Sequence, residues 1–303
     1  MKKKVLLAAS ISQVFRQKLL ANAYEIIEWD GQEIPTDIKG LVTSNKLPLD
    51  QASLQPLTNL KWIGRLGSGI DIIDTQYCTK NKIAFASSPA GIAQSVGEHC
   101  VGLLVSLLKN ISKSAIEINE KNWIREPNRG WELANKTIGL IGYGHTGKAF
   151  AKKLASWDVN IIAYDKYINN FSTDKVKEVS LSELQQSADI ISFHVPLNQE
   201  TYHYYSQSFI EKCKKHILIN TSRGAIVNTT DLLLGLENAK VEGAALDVIE
   251  NEESLKSVNA ELWNTIEKLL KHNVVLTPHI AGYSHDAIEK MSAELIEKLE
   301  DVI

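Results

Sequence analysis

Cysteine is scarce in this chain. Cys78, Cys100 and Cys213 are the only thiols in 303 residues. They are odd in number and widely scattered, with no CxxC pair, which argues against a disulfide framework, a redox-thiol protein and a thiolate metal site. The pattern fits a reducing cytosol, and each cysteine reads as a small core residue. No clustered Cys and His ligands appear, so no metal is expected. Charge of one sign is also lacking. A net charge of −3 gives no electrostatic case for nucleic acid or an anionic membrane as partner. Long hydrophobic runs are missing, the longest being near Val101-Gly-Leu-Leu-Val-Ser-Leu-Leu108, which is too short to cross a bilayer. Met1-Lys-Lys-Lys resembles the basic start of a signal peptide, but the apolar run behind it covers only Val5 to Ala9. It reads better as a first strand, so no export is predicted and a cytoplasmic location is expected. No internal repeat, low-complexity tract or charge block is present.

What is there is an alternation of short apolar runs and helical patterns, in a chain long enough for two domains. Val5–Ala9, Tyr24–Ile27, Gly40–Thr43, Lys61–Arg65 and Ile83–Ala86 read as strands of a small parallel α/β unit. A long helix is expected over 95–111, followed by a looser stretch over 121–130. A second α/β unit then contributes strands at Thr137–Ile141, Val159–Tyr164, Asp189–Phe193, Ile217–Asn220, Gly243–Asp247 and Val274–Thr277. Six strands are the count of a complete dinucleotide-binding fold. A final helix over 285–302 carries Ile288, Met291, Leu295 and Leu299 on one face.

The second unit opens with Gly139-Leu-Ile-Gly-Tyr-Gly-His-Thr-Gly-Lys148, in which Gly142, Gly144 and Gly147 have the spacing G-x-G-x-x-G. Alone this is a weak signal. Here a strand-like run precedes it, a helix with Phe150, Ala151, Leu154 and Ala155 on one face follows it, and a second strand ends at Asp165. One glycine makes the tight turn, one lets the backbone approach a pyrophosphate, and one lets the helix pack on the strand. The pyrophosphate would sit at a helix N-terminus, where unpaired N–H groups and the helix dipole favour an anion. Asp165 is placed to accept hydrogen bonds from a ribose 2′-hydroxyl and to repel a 2′-phosphate, so NAD is expected over NADP.

Three polar residues follow successive strands of this unit. Arg223 comes after Ile219-Asn-Thr-Ser222, Glu252 after Leu246-Asp-Val-Ile-Glu-Asn251, and His279 after Leu276-Thr-Pro278. Ligands of open α/β sheets lie beyond the carboxyl ends of strands, so these three are expected near the nicotinamide. Arg offers a planar fork for a carboxylate or 2-keto acid. His exchanges protons near neutral pH. A carboxylate beside that His would orient the ring and stabilise its protonated form. Taken singly, Arg223 could be a surface residue. Glu252, in the acidic run Glu250-Asn-Glu-Glu253, could belong to a solvated loop. His99, His145, His203, His216, His272 and His285 read as ordinary surface or core residues, although His99 could lie near the cleft. His194, ending a strand at His194-Val-Pro-Leu197, is expected to border the cofactor rather than transfer protons.

In order and spacing these stretches resemble the D-isomer-specific 2-hydroxyacid dehydrogenases. The likeness runs through Gly64-Arg-Leu-Gly-Ser-Gly-Ile-Asp71, Val96-Gly-Glu-His99, the glycine fingerprint, His194-Val-Pro-Leu197, Asn220-Thr-Ser-Arg-Gly224, Ala245-Leu-Asp-Val248 and Thr277-Pro-His-Ile280. The resemblance implies two Rossmann-like parallel-sheet domains. The substrate-binding domain would be discontinuous, 1–96 completed by the helix 284–303, and the NAD-binding domain would be 97–283, with a cleft that closes on substrate. It implies Arg223, Glu252 and His279 as catalytic residues. His145, Thr146, His194, Pro196 and Thr221 would join the glycines and Asp165 around NAD, with Asp247 contacting the nicotinamide carboxamide. Backbone N–H groups of the turn Gly67, Ser68 and Gly69 would hold the substrate carboxylate.

Within the family, Gly64–Gly69 and Trp123–Gly130 resemble the D-3-phosphoglycerate dehydrogenase branch, so interconversion of 3-phosphoglycerate and 3-phosphohydroxypyruvate, in serine biosynthesis, is the expected reaction. Lys46 and Arg65 would then meet a phosphate, or equally be solvated surface charges. His279-Ile-Ala-Gly-Tyr-Ser284 also resembles erythronate-4-phosphate dehydrogenases. Reductases of unphosphorylated 2-keto acids such as glyoxylate or hydroxypyruvate, and an NAD-sensing corepressor-like protein, remain open. Formate dehydrogenases are disfavoured, since they usually carry Gln where Glu252 stands. Glu253 stands where the family usually has Pro, a departure that bears on the turn aiming Glu252. Only 24 residues follow His279, so no C-terminal serine-sensing domain is expected. The resemblance also implies a homodimer, with contacts over 95–111 and 121–131.

Overall fold

The computed structural model describes residues 3–44, 47–256 and 259–303. The chain forms two compact units, Met1–Ser95 with Gly282–Ile303, and Val96–Ala281.

In the first unit the strands are β1 (Lys3–Leu7), β2 (Tyr24–Glu28), β3 (Gly40–Thr43), β4 (Trp62–Arg65) and β5 (Ala84–Ser87). Helices α1 (Gln13–Ala21), α2 (Gln51–Leu54) and α3 (Thr75–Lys80) lie between them, and α4 (Pro89–Leu108) follows. All neighbouring strands are parallel, in the order β2-β1-β3-β4-β5. This is the order of flavodoxin-like doubly wound sheets. Parallel strands are covered on both faces, which is why their runs are apolar at nearly every position rather than alternate ones. On one side of the sheet Phe15, Leu19, Trp62, Met291, Leu295 and Leu299 pack together, and on the other Leu6, Leu41, Leu54, Ile63 and Cys78 do so. Ser12, Asp50 and Asp74 cap the first three helices through their side-chain oxygens.

The second unit adds α5 (Ile111–Asn119), β6 (Thr137–Ile141), α6 (His145–Leu154), β7 (Asn160–Tyr164), β8 (Val176–Glu178), α7 (Leu181–Ser187) and β9 (Ile190–Phe193). It continues with α8 (Gln207–Lys212), β10 (His216–Asn220), α9 (Thr229–Glu237), β11 (Val241–Leu246), α10 (Ala260–Leu270) and β12 (Val274–Leu276); α11 (His285–Lys298) belongs to the first unit. The sheet is parallel with order β12-β11-β10-β9-β6-β7-β8. Its chain direction of growth reverses between β6 and β9, the switch point where such sheets bind ligands.

The sheet therefore has seven strands, not the six expected. The extra one, β8, is a three-residue edge strand in which only Val176 is buried, so its polar Lys177 and Glu178 hide it from a search for apolar runs. The long helix begins at Pro89, six residues earlier than expected, and a separate helix α5 follows it. Gly91 and Gly97 mask its start in the sequence. Each lets backbone approach closely, since a Cβ would lie 2.5 Å from Met291 N at Gly91 and 2.9 Å from Ala149 C at Gly97. By length and composition alone α4 is long enough to cross a membrane, which the eight-residue run 101–108 did not suggest, and half of it is buried in the protein. Cys78, Cys100 and Cys213 are buried and free; burial pushes their thiols up to about 11, 12 and 12.

Candidate active site

The glycine fingerprint joins β6 to α6. Gly142 has φ +93°, a conformation L side chains resist, and a Cβ there would lie 2.4 Å from the His194 carbonyl oxygen. The turns after β6 and β9 thus meet at the switch point with no room between them. At Gly147 a Cβ would lie 2.3 Å from the Gly142 carbonyl oxygen, so the third glycine seats the helix on the turn. Gly144 differs, because a Cβ there would meet nothing within 4 Å. No protein atom requires glycine at this position. Gly144 is also the N-cap of α6 and offers no capping side chain. An uncapped ten-residue helix facing open space behind a glycine suits a pyrophosphate. His145 is exposed at the first helical position, and Thr146 is half-buried behind it.

Asp165 follows β7 directly. Its Oδ2 accepts the Tyr143 N–H at 2.8 Å, tying the second strand end to the fingerprint turn, and its Oδ1 accepts the N–H groups of Tyr167 and Ile168. A carboxylate has about four acceptor positions, so three bonds leave capacity for a ribose hydroxyl. His194 is buried against Phe150, and burial lowers its pKa to about 4, so the ring is neutral. Its Nε2 pairs with Ser192 Oγ at 2.9 Å, while Nδ1 is buried without a hydrogen-bond partner among the described residues. An orphaned buried nitrogen beside an empty-sided glycine turn fits a site completed by a ligand. Pro196 is exposed, with its carbonyl accepting from Thr201 Oγ1, and Thr221 is buried at the end of β10 against Cys100 Sγ. These residues fit NAD.

The three expected catalytic residues follow β10, β11 and β12, which are adjacent in the sheet. Glu252 and His279 are brought together: Nδ1 of His279 is hydrogen-bonded to Glu252 Oε1. The other oxygen of Glu252 accepts the Ile249 N–H at 3.2 Å, so the carboxylate is held from both sides. Arg223 lies on the turn after β10, with Nη1 donating to the Ser222 carbonyl at 2.8 Å. That turn presses against the Glu252 loop. A Cβ on Gly224 would lie 2.1 Å from the Ile249 carbonyl oxygen, so only glycine permits the approach.

His279 has φ +56°, a left-handed conformation uncommon outside glycine. Asp247, at the end of β11 and 1% exposed, holds it there. The Asp247 carbonyl accepts the His279 N–H at 2.8 Å, and its carboxylate accepts Thr277 Oγ1–H at 2.5 Å and the N–H groups of Ile280 and Ala281 at 2.9 and 2.8 Å. His99 Nε2 lies 3.4 Å from the same carboxylate and 3.0 Å from Thr277 Oγ1. Thr277 gives its proton to Asp247, so its oxygen accepts and His99 carries its proton on Nε2. Burial tends to raise the Asp247 pKa, but bonds from His99, Thr277, Ala281 and Ile280 outweigh it and hold the carboxyl below the usual carboxylate range. The residue expected to contact a carboxamide thus has four donors within its own unit. His99 and Thr277 were not singled out from the sequence as partners of this acid. Only the pairing of Glu-His99 with Thr-Pro-His279 in one family pattern pointed to them.

The substrate turn expected in the first unit follows β4. Gly67 has φ +136°, and its N–H donates to Ser88 Oγ at 3.0 Å, so this amide has a partner inside the fold. Ser68 is exposed and Gly69 half-buried. Arg65 is 3% exposed, which overturns its reading as a solvated surface charge. Its guanidinium lies where a Cβ on Gly67 would be and donates to the Leu66 carbonyl at 2.8 Å. Lys46 lies outside the described residues. His216 is buried between Tyr205 OH and the Lys214 carbonyl, with its pKa pushed down to about 4 by burial, and is structural. His203, read as ordinary, proves to be paired with Glu250 at 2.6 Å. Among the described residues, no three His, Cys, Asp or Glu side chains gather as a metal site.

The sequence profile of the D-isomer specific 2-hydroxyacid dehydrogenase NAD-binding domain matches residues 101–281. A hydroxypyruvate reductase of Thermotoga maritima is 35% identical over 243 residues, 80% of this chain and 77% of that protein. A D-3-phosphoglycerate dehydrogenase of Archaeoglobus fulgidus is 32% identical over 294 residues, 94% of this chain but 54% of the relative, so the chain spans about half of that protein. Among solved structures, a D-lactate dehydrogenase from Aquifex aeolicus complexed with NAD and lactic acid superposes with a TM-score of 0.85 at 26% identity, over 98% of this chain and 94% of that one. With the fingerprint turn, the strand-end carboxylate and the His–Glu pair on one sheet, the chain belongs to the D-isomer-specific 2-hydroxyacid dehydrogenases, the NAD-dependent oxidoreductases of D-2-hydroxy acids.

Proposed function

We propose that the protein interconverts a short unphosphorylated D-2-hydroxy acid and its 2-keto acid, of the size of glyoxylate or hydroxypyruvate. The hydrogen bond between His279 Nδ1 and Glu252 carries the catalytic part of this reading. A cofactor bound at the fingerprint would supply hydride as NADH in reduction and accept it as NAD+ in oxidation. His279 is the general acid and base. Glu252 fixes the ring through Nδ1, so Nε2 is the atom that takes the hydroxyl proton in oxidation and returns it in reduction. Arg223 binds the carboxylate and the adjoining oxygen through its planar fork. Asp247 sets the turn that presents His279, and Asp165 receives the ribose hydroxyls.

Arg65, 3% exposed and donating from Nη1 to the Leu66 carbonyl, presents no exposed guanidinium for a phosphate, which supports an unphosphorylated substrate. The hydroxypyruvate reductase likeness points the same way. A second reading, oxidation of 3-phosphoglycerate, is favoured by the likeness to the Archaeoglobus fulgidus enzyme over nearly all of this chain. NADH oxidation with glyoxylate, hydroxypyruvate, pyruvate and 3-phosphohydroxypyruvate separates the two. Preference for a phosphorylated acid would overturn the first reading. Absence of turnover with all four would overturn both, and NAD-dependent capture of a partner protein would then support a sensing role.

We also propose that the protein works as a dimer through the segment 111–131. No residue of α5 is buried, although the helix carries Ile111, Ile116 and Ile118, and Trp123 and Trp131 are 87% and 73% exposed. Apolar surface so concentrated suits a second copy of the chain.

A further inference from the structure

The acidic run Glu250-Asn-Glu-Glu253 reads as three equivalent carboxylates, yet the fold gives each a different place. Glu252 meets His279, and Glu253 is exposed. Glu250 reaches away to two other loops. Its Oε1 pairs with His203 Nε2 at 2.6 Å, and its Oε2 accepts the Thr229 N–H, at the first position of α9, at 2.6 Å.

The proton positions follow from the partners. Asn228 caps α9, its Oδ1 accepting the Asp231 N–H at 3.1 Å. Its amide nitrogen therefore faces His203 Nδ1, 3.3 Å away, and that nitrogen accepts. His203 then carries its proton on Nε2 and donates it to Glu250. Tyr202 stacks on the imidazole with centroids 4.0 Å apart, and the His203 N–H donates to the Ala225 carbonyl at 2.8 Å. Three loops are thereby knotted: the turn 201–205, the Arg223–Thr229 turn and the Ile249–Glu252 loop. Gly224, packed on the Ile249 carbonyl, belongs to the same knot. Two of the three catalytic residues are carried on these loops, Arg223 on one and Glu252 on another.

We infer that Glu250 is a positioning residue, which with His203 locks the loop bearing Glu252 to the turn bearing Arg223, so that the two face the substrate in fixed register. The inference rests on the roles proposed above for Arg223 and Glu252.

The test uses the full chain with NADH and two probe acids, hydroxypyruvate and 3-phosphohydroxypyruvate. Glu250→Ala, Glu250→Gln, His203→Ala and His203→Gln are compared with Glu252→Gln and with Glu253→Ala. Glu250→Gln keeps an acceptor for Thr229 but turns an N–H toward the His203 N–H. His203→Gln restores a donor to Glu250. Expected is a fall in kcat of about tenfold or more for Glu250→Ala, since interactions felt only in the transition state appear in kcat. NADH affinity, read by fluorescence titration, should stay within about twofold. His203→Ala should lose kcat, His203→Gln should recover most of it, and Glu253→Ala should match the parent. Parental kcat in folded Glu250→Gln and His203→Ala would overturn the inference even if Glu250→Ala did not fold. An equal loss in His203→Gln and His203→Ala would reduce the pair to packing and overturn it too. If Glu252→Gln alone keeps full kcat, the catalytic reading fails instead.

Discussion

Asp247 grips His279 from beneath, its carbonyl accepting the His279 N–H at 2.8 Å while its carboxylate gathers Thr277, Ile280 and Ala281 on either side. A histidine at φ +56° persists only where its surroundings over-determine it. Asp247→Asn removes the charge and turns N–H toward donors, so about 1–3 kcal/mol of stability should be lost near neutral pH. The pH dependence has a definite sign. Hydrogen bonds from His99, Thr277, Ala281 and Ile280 hold the folded carboxyl below the ordinary carboxylate value of about 4. Its contribution is therefore present above that value and is lost as pH falls through the folded pKa. Thermal unfolding of parent and variant should show a gap that narrows on acidification. A gap constant from pH 7 to pH 3 would refute the role given to this carboxylate.

Replacing His279 with Ala should lower turnover by roughly 10²–10⁴-fold, the usual worth of a positioned general acid–base group. NADH binding should survive, because the fingerprint and Asp165 contacts are elsewhere in the unit. Steady-state kinetics beside fluorescence titration of NADH separates the two effects. Turnover within a few-fold of parent would remove His279 from the chemistry.

The three glycines of the fingerprint should fail in different ways. Gly147→Ala places a methyl 2.3 Å from a backbone oxygen and should lower the melting temperature without NAD present. Gly144→Ala meets no protein atom and should fold as the parent does, yet bind NADH at least tenfold more weakly. Melting curves of the apoprotein, with NADH titrations, read both. Parental NADH affinity in Gly144→Ala would mean that no pyrophosphate approaches that turn.

Much of this was legible in the residues. Parallel strands announce themselves as unbroken apolar runs, so β3 and β6 were delimited to the residue, whereas β8, with one buried side chain in three, was invisible. Arg223, Glu252 and His279 each follow a strand as expected, and the fold pairs two of them, Glu252 and His279. The duties of Asp247 and Glu250 were not legible, since both depend on how turns distant in sequence come together. Glu250 and Glu253 are the same residue three apart, and only the fold distinguishes a tethered carboxylate from a solvated one. Arg65 shows the reverse, a charge whose type suggests solvent or phosphate and whose place is a buried turn.

Asp165 is the residue proposed to set the cofactor preference. Asp165→Ser keeps an oxygen for Tyr143 but loses the charge that would repel a 2′-phosphate. The ratio of NADH to NADPH affinity should fall by about tenfold, equivalent to 1.4 kcal/mol. Dissociation constants for both nucleotides measured in parallel check this. A ratio unchanged by the substitution would place the discrimination elsewhere.

Exposed tryptophans make the assembly testable. Trp123 and Trp131 follow α5, which buries none of its isoleucines within the chain. If a second copy covers that surface, Trp123→Glu combined with Trp131→Glu introduces two charges that the interface would have to desolvate. Sedimentation at micromolar concentration should then give a dimer for the parent and a monomer for the double variant, with unit folds unchanged by circular dichroism. A parent that sediments as a monomer would sink the dimer. A double variant that stays dimeric would move the interface away from this segment, because few stable interfaces tolerate two buried carboxylates facing their own symmetry mates.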